Sequence, residues 1–237
     1  LKSIRLLAAA ALAAGTLLAP AAATAAPAGT DIVGGDTIPI SAAPYAVQIH
    51  VNTTGTAFNC TGSLISSQWV LTAKHCEGTR SVRLGSASNG SGGTVRTIVA
   101  DRAFAGGDVR LLKLSSPYSG ATVTLDRDRV TQAGPASAYG WGRTCSVCNA
   151  SPTLKTAQVS ITAYSSDAYG GPALQTYGQD GQVFKGDSGG PLMVNGQQVG
   201  VLSTGSGDPD TYDRPANYSE VSNAMSWITS ISGVTGR

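Results

Sequence analysis

From residue 45 onward the chain alternates apolar and polar positions in short runs. Stretches 45–51, 62–71, 81–84, 95–99, 109–114, 136–141, 154–161, 191–194 and 198–203 are rich in Val, Ile, Leu and Thr, and Gly, Ser, Asn and Asp separate them. This spacing predicts β-strands joined by turns. The 30 glycines and 11 prolines suit such turns. Only the carboxyl end changes period, where Ala224, Trp227, Ile228 and Ile231 fall on one helical face and predict a terminal helix docked on a β core. The Gly/Ser-rich stretch 85–93 reads as a loop within one folded unit, since strand-like text resumes on both sides. No internal repeat has a solenoid or propeller period.

Composition narrows the classes. An apolar content of 41% over 237 residues supports a buried core and excludes a disordered chain. A net charge of +2 gives no reason to expect nucleic acid or an anionic membrane as partner. Lys2 and Arg5 precede an apolar run at 6–19, and Ala23-Thr24-Ala25 follows it, so residues 1–25 read as a signal peptide and 26–31 as a short propeptide. Export would leave residues 32–237 as a secreted domain, free of membrane after processing. It also places Cys60, Cys76, Cys145 and Cys148 where disulfides form. Cys145 and Cys148 make a lone C-x-x-C, which reads as a small local disulfide because two cysteines cannot close a zinc site.

The segment Lys185-Gly186-Asp187-Ser188-Gly189-Gly190-Pro191 is the most informative. Its glycines let the backbone turn sharply and present the Ser188 hydroxyl beside bare N–H groups, as an acyl-transfer nucleophile requires. A hydroxyl needs a base, and the chain has two histidines. His50, within the strand-like Gln48-Ile49-His50-Val51, reads as a strand-surface residue. His75, beside Cys76, is the candidate base.

With these motifs go Ile32-Val33-Gly34-Gly35, Ser63-Leu64-Ile65, Trp69-Val70-Leu71-Thr72-Ala73, Asp108 before Leu111-Leu112-Lys113-Leu114, and Gly140-Trp141-Gly142. Together they resemble the chymotrypsin/trypsin-type serine protease family, in a secreted, bacterial-like form. The resemblance spans nearly all of residues 32–231 and follows the family's order of histidine, aspartate and serine. It implies an all-β fold of two six-stranded antiparallel β-barrels with a C-terminal helix. It further implies a secreted serine endopeptidase working through an acyl-enzyme, with His75, Asp108 and Ser188 as triad.

The same resemblance assigns the oxyanion hole to the N–H groups of Gly186 and Ser188, and support of Asp108 to Ser203. A cut before Ile32 would free an amino group to pair with Asp187. The specificity pocket falls on Gln182, Val183, Ser203, Thr204, Gly205 and Ala216. A neutral glutamine at its floor favours uncharged residues before the cut, whereas a shift of one or two residues would bring in Asp180 and restore a preference for Lys and Arg. Lys74 stands where the family has a small residue, and Phe184 where it has a bracing cysteine. The stretch matching the calcium loop of animal members, 85–94, has no carboxylate, so no metal and no cofactor are expected. Protein or peptide substrates, and protein protease inhibitors, are the implied partners of a monomer. Rivals are a catalytically inactive secreted binding homologue and an esterase of small substrates. Because His75 must be unprotonated to act as base, activity is expected to be greatest at neutral to mildly alkaline pH.

Overall fold

Alternate residues of the short strands turn inward, and the strands close on themselves twice. The structure, a computed structural model, describes residues 32–205 and 214–237. The signal and propeptide segments, 1–25 and 26–31, lie outside the described residues. A two-residue strand β1 (Asp36–Thr37) leads into the first barrel, made of β2 (Ala46–His50), β3 (Phe58–Ser66), β4 (Trp69–Thr72), β5 (Ser81–Leu84), β6 (Thr94–Ala103) and β7 (Arg110–Leu114). Their order around the barrel is β2-β3-β4-β7-β6-β5, with β5 pairing back to β2. After the short β8 (Thr124–Leu125) come β9 (Gly134–Gly140), β10 (Lys155–Ser166), β11 (Pro172–Gly178), β12 (Pro191–Val194), β13 (Gln197–Thr204) and β14 (Ala216–Glu220). These form a second closed ring, β9-β10-β11-β14-β13-β12, because β9 pairs with both β10 and β12. All pairings within the two rings are antiparallel, and β1 and β8 attach to the outside of the second.

Besides a short 3-10 turn at Ile40–Ala42, there is one α-helix among the described residues, α1 (Val221–Ser232), near the carboxyl end. Gly233 stops it in a left-handed conformation and returns its N–H to the Thr229 carbonyl at 2.9 Å. Val221, Ala224, Met225 and Ile228 are buried in the apolar cluster of the first barrel, while Trp227 packs its ring against Phe104 at 5.2 Å. The helix thus ties the end of the second barrel to the first.

The strand pattern departs from the sequence reading in two places. The run 62–71 is not one strand: Ser67 and Gln68 turn the chain between β3 and β4, and their carbonyls accept the N–H groups of Tyr118 and Leu114. Strands β11 and β14 were hidden by polar text, yet each is hydrogen-bonded to a neighbour on both sides. The loop 85–93 wraps a buried cation. The Arg83 guanidinium donates to the carbonyls of Gly55, Gly90 and Gly92, so a side chain of β5 organises that segment.

His50 corrects the reading as a surface residue. It is fully buried on β2, its ring edge-on to Phe58 at 6.0 Å, and neither ring nitrogen makes a hydrogen bond. Burial, then the nearby Arg83 charge, lower its pKa to about 4, and the Ala57 carbonyl, already engaged by the Val51 N–H, offsets only part of this. His50 is therefore neutral in the fold and takes up a proton on unfolding below about pH 6.5. Stability contributed by the neutral ring is complete above that pH and is lost as pH falls from about 6.5 to about 4. In urea titrations at pH 7 and pH 5, His50→Leu is expected to lose less stability between the two than the native chain; equal losses would show that His50 does not titrate in this way.

Candidate active site

Three connections deliver the predicted residues to the junction of the barrels. His75 follows β4, Asp108 precedes β7, and Ser188 precedes β12. Arg110 donates to the Lys74 carbonyl from both Nε (3.0 Å) and a terminal nitrogen (2.7 Å), which fixes the backbone before His75. On its other side, the Cys60–Cys76 disulfide ties that backbone to β3. A second disulfide joins Cys145 to Cys148 in an exposed loop.

Asp108 is wholly buried, and every contact of its carboxylate has a purpose. Oδ2 lies 2.6 Å from His75 Nδ1 and accepts the Ser203 hydroxyl at 2.6 Å, while Oδ1 accepts the His75 backbone N–H at 2.9 Å. Burial alone would raise the pKa of this carboxyl, but the hydrogen bonds from His75 and Ser203 outweigh it and hold the group below the usual carboxylate range. An ionised carboxylate only accepts, so the His75 proton sits on Nδ1 and Nε2 keeps its lone pair.

Ser188 is carried by a tight turn packed on the first barrel. Its carbonyl accepts the Thr61 N–H at 2.9 Å and lies 3.7 Å from Cys76 Sγ, beside the disulfide that anchors His75. Gly186, at φ +100°, has its carbonyl held by the Thr61 hydroxyl. Among the described residues the N–H groups of Gly186 and Ser188 have no acceptor, and no hydrogen bond joins the Ser188 hydroxyl to His75. Such bonds are often long before substrate arrives.

Lys74 does not crowd the histidine: its ammonium lies over the Tyr169 ring, 4.2 Å from the centroid. The turn bearing Tyr169 also donates the Ala168 N–H to Ser203 Oγ at 3.0 Å. Sequence reading gave this turn no role. No motif marks it, because the groups it meets, the Lys74 ammonium and the Ser203 hydroxyl, come from distant parts of the chain.

Gln182, Val183, Ser203 and Ala216 are buried, and Thr204 and Gly205 line up beyond Ser203. Gln182 donates its N–H to the Val33 carbonyl at 2.8 Å, so the proposed pocket floor is stitched to the amino-terminal segment. Asp180 is exposed and accepts the Gln158 N–H at 2.7 Å, on β10. A polar cleft of about 730 Å³ opens beside Ser188 and Gly186, which line part of it. Arg143 and Lys185 line it, with no carboxylate among its lining residues.

Ile32 is fully buried, in one cluster with Ala138, Val183 and Leu192. Asp187 is also fully buried and accepts the N–H groups of Gly142 (2.7 Å) and Phe184 (2.9 Å). Its carboxylate fills the space beside the Gly142 α-carbon that any side chain would need, which accounts for that glycine. No cation pairs with it among the described residues. Burial pushes its pKa up to about 7, although the two N–H groups work against this.

A family model described as Trypsin matches residues 32–228. The chain therefore belongs to the trypsin family of serine proteases, and it is a hydrolase of the endopeptidase kind. It is 34% identical to a trypsin of Sus scrofa over 221 residues, covering 83% of this chain and 94% of that protein. It is 35% identical to trypsin I-P1 of Gallus gallus over 222 residues, covering 83% and 87%. Among solved structures, neuropsin, a serine protease expressed in the limbic system of mouse brain, superimposes with a TM-score of 0.73 at 25% identity, covering 83% of this chain and 97% of that one. The two-barrel fold is that of chymotrypsin-like proteases. These relatives are animal proteins and do not bear on a bacterial likeness.

The unpaired Asp187 gives the uncut chain a distinctive pH dependence. Between about pH 4 and about pH 7 the folded carboxyl keeps a proton that the unfolded one has lost, so the contribution of Asp187 to stability falls as pH rises through that window. The effect is on the order of a few kcal/mol. In urea unfolding, the uncut chain at pH 7.5 relative to pH 5 is expected to be less stable than Asp187→Asn compared in the same way, His50 contributing in the opposite sense to both proteins; parallel behaviour of the two would exclude Asp187 as the source.

Proposed function

We propose that the chain is exported, cut before Ile32, and then hydrolyses peptide bonds of proteins or peptides with Ser188 as nucleophile, His75 as base and Asp108 as the carboxylate that orients it. The observation that carries this reading is the buried Asp108 carboxylate on His75 Nδ1 at 2.6 Å. It leaves Nε2 as the base for the Ser188 hydroxyl. Attack of Ser188 Oγ on the scissile carbonyl passes its proton to Nε2, and the carbonyl oxygen becomes an oxyanion. The free N–H groups of Gly186 and Ser188 would receive that charge, each worth about 3–4 kcal/mol in such sites. Collapse breaks the C–N bond, the imidazolium returns its proton to the leaving amine, and water repeats the sequence on the acyl-enzyme.

Activation follows from the charge buried at Asp187. In the uncut chain the Ile32 nitrogen is an uncharged peptide nitrogen. A cut after Asp31 makes it an ammonium, the partner a buried carboxylate requires. Because the cut follows an aspartate, a protease selecting Lys or Arg is not expected to make it.

For the residue before the cut, Gln182, Val183 and Ala216 suit an uncharged side chain. The Asp180 carboxylate is engaged on β10 and exposed, which disfavours the Lys/Arg alternative. For residues after the cut, the cleft with Arg143 and Lys185 favours acidic side chains. An inactive binding homologue would have no need of the intact Asp108–His75–Ser203 network.

A peptide-library cleavage profile of protein beginning at Ile32 tests these points together. Cuts after uncharged residues that fall by about a million-fold in Ser188→Ala are expected. Cuts confined to Lys and Arg would overturn the neutral pocket and keep the mechanism. Small esters cleaved without peptides would favour the esterase, and no Ser188-dependent cleavage would favour the binding homologue.

A further inference from the structure

Behind the triad lies a second buried carboxylate that the mechanism above does not use. Asp167 follows β10 and opens the turn that reaches β11 at Pro172. Its Oδ1 accepts the N–H groups of Tyr169 and Gly171, both at 2.9 Å. Its Oδ2 accepts the backbone N–H of Asp108 at 2.7 Å and the Ser219 hydroxyl at 2.9 Å. All four donors are neutral, and no Lys, Arg or His pairs with it among the described residues. The fit is close: a β-carbon at Gly107 would stand 2.6 Å from Oδ2, and one at Gly171 2.8 Å from it. Gly107 before Asp108 thus admits a carboxylate to the Asp108 backbone, which a simple turn would not require.

The turn grips the triad at three places. Asp167 holds the Asp108 main chain, Ala168 holds the hydroxyl of Ser203, and Tyr169 receives the Lys74 ammonium. Ser203 in turn donates to Asp108 Oδ2. Asp108 is therefore fixed from the front by His75 and from behind by Asp167.

We propose that Asp167 is a positioning residue of the active site, seating Asp108 through its backbone N–H and placing a second negative charge behind the Asp108–His75 pair. The inference rests on the triad reading above. Two buried carboxylates favour the imidazolium that forms when His75 takes the serine proton, and a seat off by a fraction of an ångström would misalign the base. Removing the charge at Asp167 makes His75 hold its proton less firmly, so the acid side of the activity profile moves to lower pH. The other groups around His75 stay constant in that comparison: Asp108; Lys74 over Tyr169; Arg110, paired with Asp101 and 3.8 Å from Glu77; and Lys185 and Arg143 in the cleft.

The test compares native chain, Asp167→Asn and Ser219→Ala, each beginning at Ile32 and each normalised to sites titrated with a fluorophosphonate. For Asp167→Asn we expect kcat lower by about 10- to 100-fold with KM within about twofold. Its kcat/KM profile should keep its shape with the acid limb lower by roughly half a pH unit or more. Ser219→Ala keeps the charge and loses the hydroxyl that donates to Asp167 Oδ2 at 2.9 Å and lies 3.4 Å from the Asp108 carbonyl, so its acid limb should stay in place while kcat falls by about threefold or more. A purely structural brace would reduce the number of titrated sites and leave kcat per site and the acid limb untouched; that result in Asp167→Asn overturns the proposal. Should Asp167→Asn not fold, a Ser219→Ala enzyme with native kcat per site overturns it equally. A native chain that is neither titrated nor active would instead fail the triad reading.

Discussion

The Asp108 carboxylate is the constraint around which the rest of the molecule is arranged. A charge without solvent must be surrounded by donors, and no single element supplies them. His75 comes from the end of β4, Ser203 from β13, and the acceptor for the Asp108 main chain from the turn after β10. The first barrel thus provides the carboxylate and the proposed base, and the second provides what holds the carboxylate still. Helix α1, rooted after β14 and packed in the first barrel's apolar cluster, keeps the two halves in register.

Asp187 is the complementary case, a buried charge whose surroundings are incomplete. Two backbone N–H groups reach it and Gly142 makes room for it, yet its pKa stands near 7. Meanwhile Ile32 is already buried and Val33 already bonds Gln182, the proposed pocket floor. A new ammonium at Ile32 would consequently stabilise the segment from Gln182 to Asp187, which contains one proposed oxyanion donor, Gly186, and adjoins the other, Ser188. In this account, activation and catalysis share one electrostatic rule: a carboxylate is taken out of water only where a partner can be brought to it.

How much of this was legible in the sequence depended on whether a role is carried by side chains or by backbone. Ser188 and His75 could be named from residue type and context, and Asp108 from a family resemblance alone, since nothing local separates it from other aspartates after glycine. The helix followed from the spacing of Ala224, Trp227, Ile228 and Ile231. Strand β14 did not, because Asn217, Ser219 and Glu220 look solvent-facing until neighbours on both sides bury their backbone. His50 misled for the opposite reason: a polar ring in a strand is expected at the surface, and here it is packed on Phe58 with its nitrogens unpartnered. Asp167 escaped notice because its four donors are three main-chain groups and one serine, brought together only where the turn after β10 meets β14 and the segment before β7.

The central claim is that a buried Asp108 makes His75 the base for Ser188. The most direct measurement is the rate at which a fluorophosphonate modifies Ser188, identified by mass spectrometry, in protein beginning at Ile32 and in its Asp108→Asn variant near pH 8. The account predicts modification at Ser188 alone, slowed by about three to four orders of magnitude in the variant, since an amide would favour the wrong tautomer of His75. Equal rates in the two proteins, or modification at another serine, would contradict it.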